Sequence, residues 1–455
     1  MWRDGTQDEK PQEPGKEVDE VAAEVELKRL MSLNVLRDAQ PSDDSIQRTL
    51  TTRFVYDWRW KPTGKAEGGQ DPQFKWLRRA RLVAREYAFA EGKRDDVFSP
   101  ASSSHLLRLL PALYLCKTAL DDFPGDDPYV LGSLDIKDAF LQVDQREPLR
   151  LKMPSGDRIV MKNLPGQRAG AKDWFDHISR FLCAKAEVTQ CCLNPCLMRG
   201  ENIAVLVHVD DVMLLGKRNY VENVFLPLLK SQFDLSCSLI KDVGDEFTFL
   251  KRTYRLTSHG LIISPGNYVP KMLEIFEENY GKVKISKVPI DPNMLVEDKS
   301  DELNAYDSGI YRSLVGMGLY LAQERYDIAY AIKELSSKMA KPTKSSMCGL
   351  RKLLGYLRQT SWYAVLLPTP EPGRGKIAHV DKHFILESYS DSDWSGHQAH
   401  RRSTSSAIHY VNSCPVFASA RTQRVVSLSS CEAELHALVS AAGDGKYIAG
   451  CLSFL

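Results

Sequence analysis

No apolar run in this chain reaches the length of a membrane span, and the longest is broken by two aspartates. Met1 is followed by Trp-Arg-Asp and not by an apolar signal core. The ten cysteines have no even, framework-like spacing, and no Cys-x-x-Cys pair occurs. That excludes a disulfide scaffold and disfavours zinc on Cys191, Cys192, Cys196 and His208. A reduced intracellular compartment is expected, with no membrane partner. Internal repeats are absent. Bulk charge is absent too, since 60 bases against 59 acids leave +1, which names no partner.

What is present is unevenly placed. Residues 1–45 carry twelve acids and six bases, whereas 53–94 carry eleven bases and five acids. An acidic lead-in therefore precedes a basic working surface. A length of 455 residues allows several domains. Residues 1–16 read as disordered, and Val18, Val21, Ala22, Val25 and Leu30 then fall at helical spacing. Pro/Gly-rich breaks are expected at 61–72, 121–128 and 368–375, the last as a linker. Helical patterns cover 173–187, 220–232, 267–279, 308–339 and 344–360.

The strongest signal lies at 204–216, where Asp210-Asp211 interrupts two apolar, β-branched flanks. The flanks predict two buried strands joined by a tight turn. Two adjacent carboxylates there repel each other and lose hydration unless a cation binds them. A second apolar stretch, 131–143, carries Asp135 on a predicted strand. Laid beside the hairpin, it brings a third carboxylate, roughly the ligand set that two divalent ions about 3.5–4 Å apart require. A solvated turn is the competing interpretation of an isolated Asp-Asp.

The same residues carry a family resemblance. Leu134-Asp135-Ile136-Lys137-Asp138-Ala139-Phe140-Leu141 resembles the first catalytic motif of copia-type retrotransposon reverse transcriptases. Val207-His208-Val209-Asp210-Asp211 resembles their Tyr-Val-Asp-Asp hairpin. Ala80-Arg81-Leu82-Val83-Ala84-Arg85, Phe98-Ser99-Pro100, Leu164-Pro165-Gly166-Gln167-Arg168, Trp174-Phe175, Tyr311–Gly316 and Tyr326–Ala331 match further segments in order. Asn194-Pro195-Cys196 looks like the family's turn before the hairpin strand.

The resemblance implies an α+β right-hand polymerase followed by an incomplete α/β ribonuclease H-like domain. The expected parts are a lead-in (1–50), fingers and antiparallel-sheet palm (51–260), helical thumb and connection (261–380), and a truncated ribonuclease H-like domain (381–455). It implies that Asp135, Asp210 and Asp211 hold two Mg²⁺ ions, with Mn²⁺ as a substitute. Phe140 would lie under the sugar of the incoming nucleotide. Arg81, Arg85, Gly166 and Arg168 would bind nucleotide or template. Arg78 reads as part of a solvated face, and Asp138 as a helix or turn cap. The partners would be an RNA template, a DNA primer, an RNA–DNA hybrid and dNTPs, with a homodimer as an option. The location would be cytoplasmic, including virus-like particles, with nuclear access.

Three departures stand out. His208 replaces the family's Tyr. Ala169-Gly170-Ala171 replaces Gln-Ser-Pro. The third is C-terminal, where Asp391 and Glu434 match two ribonuclease H carboxylates, Asp393 and Glu432 match without a metal role, and Arg401 and Arg402 would touch phosphates. Ser430 is expected to cap the helix carrying Glu434. Asp444 is the only acid among the 21 residues after Glu434, and it reads as a loop residue. Ribonuclease H activity is therefore expected to be lost. A decayed or co-opted nucleic-acid-binding copy is the second functional hypothesis, and a different two-metal enzyme sharing only the palm is the third.

Overall fold

The computed structural model describes residues 2–3, 11, 13–62, 74–86, 96–120, 127–153, 156–291, 298–370, 384–397 and 400–455. Most of the three expected breaks, and most of residues 1–12, lie outside them. The chain divides into two compact units, one of residues 1–100 and 137–184, the other of residues 101–136 and 185–455.

The first unit is built on a long antiparallel hairpin, β1 (Thr52–Pro62) with β2 (Phe74–Ala84). Alternate residues of a strand point to opposite faces, so the hairpin sorts its side chains. Arg59, Arg79 and Arg81 share one face, in register as Arg59↔Leu77, Asp57↔Arg79 and Val55↔Arg81. The other face carries Tyr56, Trp58, Trp60, Trp76 and Arg78, and helix α1 (Lys16–Ser32) packs against β2. Arg78 is thus not on a solvated face. It is buried, with its guanidinium on Asp19 (2.7 Å) and Glu13 (2.9 Å) and over the rings of Tyr56 and Trp58. The acidic lead-in supplies the counter-charges that let an arginine sit among aromatics. Part of the lead-in expected to be disordered is also paired, since Trp2–Arg3 join the β2 edge opposite Leu77 and Trp76.

A four-stranded sheet (order 36–38, 158–162, 144–151, 49–50) and helix α2 (Gly170–Lys185) complete this unit. Its core joins Leu30, Leu36, Leu82, Leu141, Leu149 and Val160.

The second unit is centred on a six-stranded antiparallel sheet. Its middle strands are β3 (Tyr129–Ile136), β4 (Ile203–His208) and β5 (Asp211–Lys217), with β6 (Leu235–Ile240) outside β3. β3 runs in close contact with β6. A Cβ on Gly132 would lie 2.4 Å from the Ser238 carbonyl oxygen, so only glycine fits there. A smaller sheet (246–249, 252–257, 260–264 and 365–368) follows. Four helices then share one core: α3 (Tyr268–Tyr280), α4 (Ala305–Leu321), α5 (Ala329–Ser337) and α6 (Lys344–Gln359). The helical pattern over 308–339 is therefore two helices and not one. The break holds buried Glu324 and Arg325, and Arg325 donates to the Thr360 carbonyl and to Asp327.

The C-terminal part is a three-stranded sheet, β7 (Leu386–Ser392), β8 (Thr404–Val411) and β9 (Cys414–Thr422), packed by helix α7 (Ser430–Phe454). Ser429, not Ser430, is its N-cap, its side chain accepting from the Glu432 N–H. Glu432 reaches back to the Leu428 N–H at 2.7 Å.

Candidate functional site

The two apolar flanks around Asp210-Asp211 form β4 and β5, joined by a two-residue turn, Val209-Asp210, between the paired residues His208 and Asp211. Val209 holds φ at 56°, a left-handed conformation that a β-branched residue adopts only at a cost of about 1–3 kcal/mol. The turn is pinned from the side, since the Ile136 N–H donates to the Asp210 carbonyl at 2.9 Å. Strain held by surrounding structure fixes where the two carboxylates stand.

β5 pairs on its other edge with β3, and the register sets Asp211 opposite Asp135. Asp135 and Asp210 are exposed and Asp211 is half-buried. The Asp211 carboxyl is pushed up to about 6, first by burial and then by the negative charges of Asp210 and Asp135. Asp211 therefore feels both neighbouring carboxylates electrostatically. Among the described residues, no three His, Cys, Asp or Glu side chains already converge as a ready-made ligand shell. The donor set still fits hard divalent cations. Asp135 and Asp211 are oxygen ligands on adjacent strands and Asp210 is one on the turn between β4 and β5, and the repulsion they exert on Asp211 is what a bound cation would reverse.

His208 is held by a neighbour that no local sequence pattern reveals. Its Nδ1 lies 2.6 Å from the Ser102 hydroxyl. Burial lowers the imidazole below its ordinary range, opposed by the Asp210 charge and reinforced by Arg252. Asn194 is buried before the hairpin, its side-chain oxygen accepting from the Cys196 N–H at 3.0 Å.

The remaining expected nucleotide and template residues lie in the first unit. Leu164-Pro165-Gly166-Gln167 is a tight turn with Pro then Gly in the middle, closed by the Gln167 N–H on the Leu164 carbonyl. Gly166 has φ +93°, and a Cβ there would lie 2.3 Å from the Ala84 carbonyl oxygen. Arg168 follows, its N–H donating to Glu86 at 2.9 Å. Arg81 lies on the hairpin, where partial desolvation and then the charges of Arg79 and Arg59 lower its guanidinium, with Asp57 and Asp138 opposing. Arg85 is exposed just beyond β2, its N–H on the Thr51 carbonyl. Phe140 is half-buried, and a Cβ on Gly170 would touch its ring at 3.4 Å.

Asp138 departs from expectation. It occupies the N-cap position of the short 139–142 helix with φ 53°, yet its side chain makes no cap. Its carboxylate instead takes Arg29 of α1 at 2.7 Å. Sequence reasoning also missed Glu86, the first acid after the five-base stretch 75–85, which was the available signal.

At the C-terminal sheet, β7 and α7 bring the Asp391 and Glu434 regions together, with Glu434 accepting from the Ser392 N–H at 3.4 Å. Asp444 lies within α7 and not in a loop. It is engaged by Arg421 (2.9 Å) and His105 (3.2 Å).

The family described as "Reverse transcriptase (RNA-dependent DNA polymerase)" matches residues 47–290, just over half of the chain. The chain is 27% identical over 396 residues to the retrovirus-related Pol polyprotein from transposon RE1 of Arabidopsis thaliana, covering 83% of this chain and 25% of that protein. It is 25% identical over 401 residues to the corresponding polyprotein of transposon TNT 1-94 from Nicotiana tabacum, covering 83% and 28%. The chain thus spans about a quarter of the length of these curated relatives. A foamy viral protease-reverse transcriptase, solved with double-stranded DNA, superposes with a TM-score of 0.50 at 14% identity. The match covers 94% of this chain and 71% of that one, a likeness of fold.

Proposed function

Because the chain belongs to the reverse transcriptase (RNA-dependent DNA polymerase) family, in its copia-like branch, we propose that it extends a DNA primer on an RNA template by nucleotidyl transfer from dNTPs. The observation that supports this reading most is the register pairing of Asp211 with Asp135, beside a strained turn carrying Asp210.

In this reading Asp135, Asp210 and Asp211 hold two Mg²⁺ ions, with Mn²⁺ as a substitute. When bound, the ions supply Lewis-acid activation of the primer 3′-hydroxyl and charge neutralisation on the triphosphate. The strand ladder and the pinned turn keep the carboxylates oriented, so little reorganisation accompanies binding. His208, held by Ser102, stands opposite Asp211 and steadies the hairpin. Arg81, Arg85 and Arg168 offer cationic contacts to phosphates, and Phe140 offers a ring to the nucleotide sugar. Residues 51–260 would serve as fingers and palm, 261–380 as thumb and connection, and 381–455 as a ribonuclease H-like domain. We also propose that ribonuclease H activity is lost, because Asp444 is committed to Arg421 and His105 and does not join Asp391 and Glu434. A cytoplasmic site of action accompanies this reading.

The test is primer extension on an RNA template with dNTPs and Mg²⁺, with Asp210→Asn as control. Extension that the substitution abolishes supports the reading. No extension by well-folded protein under Mg²⁺ and Mn²⁺ overturns it.

A further inference from the structure

Glu86 follows directly on Arg85, yet its side chain is only 5% exposed. Its carboxylate accepts from the Arg168 backbone N–H at 2.9 Å and lies 3.5 Å from the Arg48 guanidinium. The contact joins two segments 82 residues apart in sequence: the end of β2 and the 164–168 turn.

That turn is tied down at every other point as well. The Ala84 N–H donates to the Pro165 carbonyl at 2.7 Å. The Gln167 side-chain oxygen takes the Leu164 N–H at 2.6 Å, and Gln145 holds that same oxygen at 2.7 Å. Gly166 lies against the Ala84 backbone too closely for any side chain. These ties are made by backbone groups and neutral amides. The Glu86 bond is charge-assisted, and it acts on the residue that carries a guanidinium, Arg168.

We infer that Glu86 is a positioning residue that clamps the 164–168 turn to the end of β2, so that the backbone carrying Arg168 is fixed before its guanidinium meets a phosphate. The inference rests on the polymerase reading for what Arg168 binds. A carboxylate near phosphate-binding arginines would, through its charge alone, weaken their hold on a triphosphate. By accepting the Arg168 N–H it has the opposite effect, since a fixed Arg168 loses less freedom when the nucleotide arrives. The two effects separate in the variants, because glutamine removes the charge and keeps an acceptor oxygen.

The experiment measures dNTP affinity on a preformed primer–template complex by fluorescence titration, which needs no turnover, together with steady-state extension. Glu86→Ala is expected to raise both Kd and KM for dNTP about tenfold with kcat within about twofold. Glu86→Gln is expected to return Kd to within about threefold of wild type. Hydrogen exchange at the Arg168 amide should rise in Glu86→Ala and stay low in Glu86→Gln, which also reports whether each variant is folded. An unchanged or tightened Kd in Glu86→Ala overturns the clamp, as does a Gln variant no better than Ala. Absence of extension by wild type would count against the polymerase reading alone, because the comparison of Kd and exchange between the two variants still decides the clamp.

Discussion

Asp211 faces Asp135 directly across the β5–β3 ladder, with Asp210 on the adjoining turn. Burial and the two neighbouring negative charges disfavour the ionised form of Asp211. Neutralising Asp211 should therefore stabilise the metal-free protein. With a carboxyl pushed up to about 6 and partly solvated, Asp211→Asn is expected to gain about 1 kcal/mol, or about 1 °C in melting temperature. The same variant should lose most of the thermal stabilisation that wild type gains from added Mg²⁺. Differential scanning fluorimetry with and without Mg²⁺ checks both signs. A variant less stable than wild type in the metal-free state contradicts the repulsion argument.

Val209 holds a left-handed backbone in the turn between the paired residues. Val209→Gly should relieve that strain and raise unfolding free energy by about 1 kcal/mol. Urea denaturation reads this directly, and a loss of stability would show that the valine side chain contributes more than its backbone costs.

Glu324 accepts from Arg252 at 2.6 Å and from Arg108 at 3.2 Å, with all three side chains 1–3% exposed. Glu324→Gln leaves two buried guanidiniums without their counter-charge. The expected loss is about 3–5 kcal/mol, measured by chemical denaturation. A loss under about 1 kcal/mol would mean that Tyr320, Tyr326 and Gln323, which also touch these arginines, suffice to hold them.

His409 is fully buried on β8, its Nδ1 2.8 Å from the Ser388 hydroxyl. Burial lowers its imidazole, with Asp444 opposing and His105 and Arg421 reinforcing. Below the ordinary value of 6.5, the unfolded chain then binds more protons here than the folded chain. Stability from this group is present above about 6.5 and falls as pH drops through the folded value. Urea midpoints at pH 7.5 and 5.5 should fall further for wild type than for His409→Gln. Equal slopes would refute the assignment.

The sequence by itself determined the strands around Asp135 and Asp210-Asp211, because continuous apolar runs interrupted by acids allow little else. The Pro165-Gly166 turn was not read from the sequence, although the conformational demands of proline and glycine are local. Most helices were legible from their spacing, apart from Leu109–Leu120, which was not read, and the break at 322–328, where Glu324 and Arg325 sit in the interior. Other features were decided only by the tertiary structure. Arg78 is buried because distant acids at Glu13 and Asp19 reach it, and Asp138 turns to Arg29 instead of capping its helix. Asp444 is claimed by His105, and His208 by Ser102. Glu86 meets the Arg168 amide 82 residues away. In each case a charged or polar group chose its partner after the chain had folded. Periodicity encodes which face is apolar, whereas the pairing of charges depends on which distant segments the core brings together.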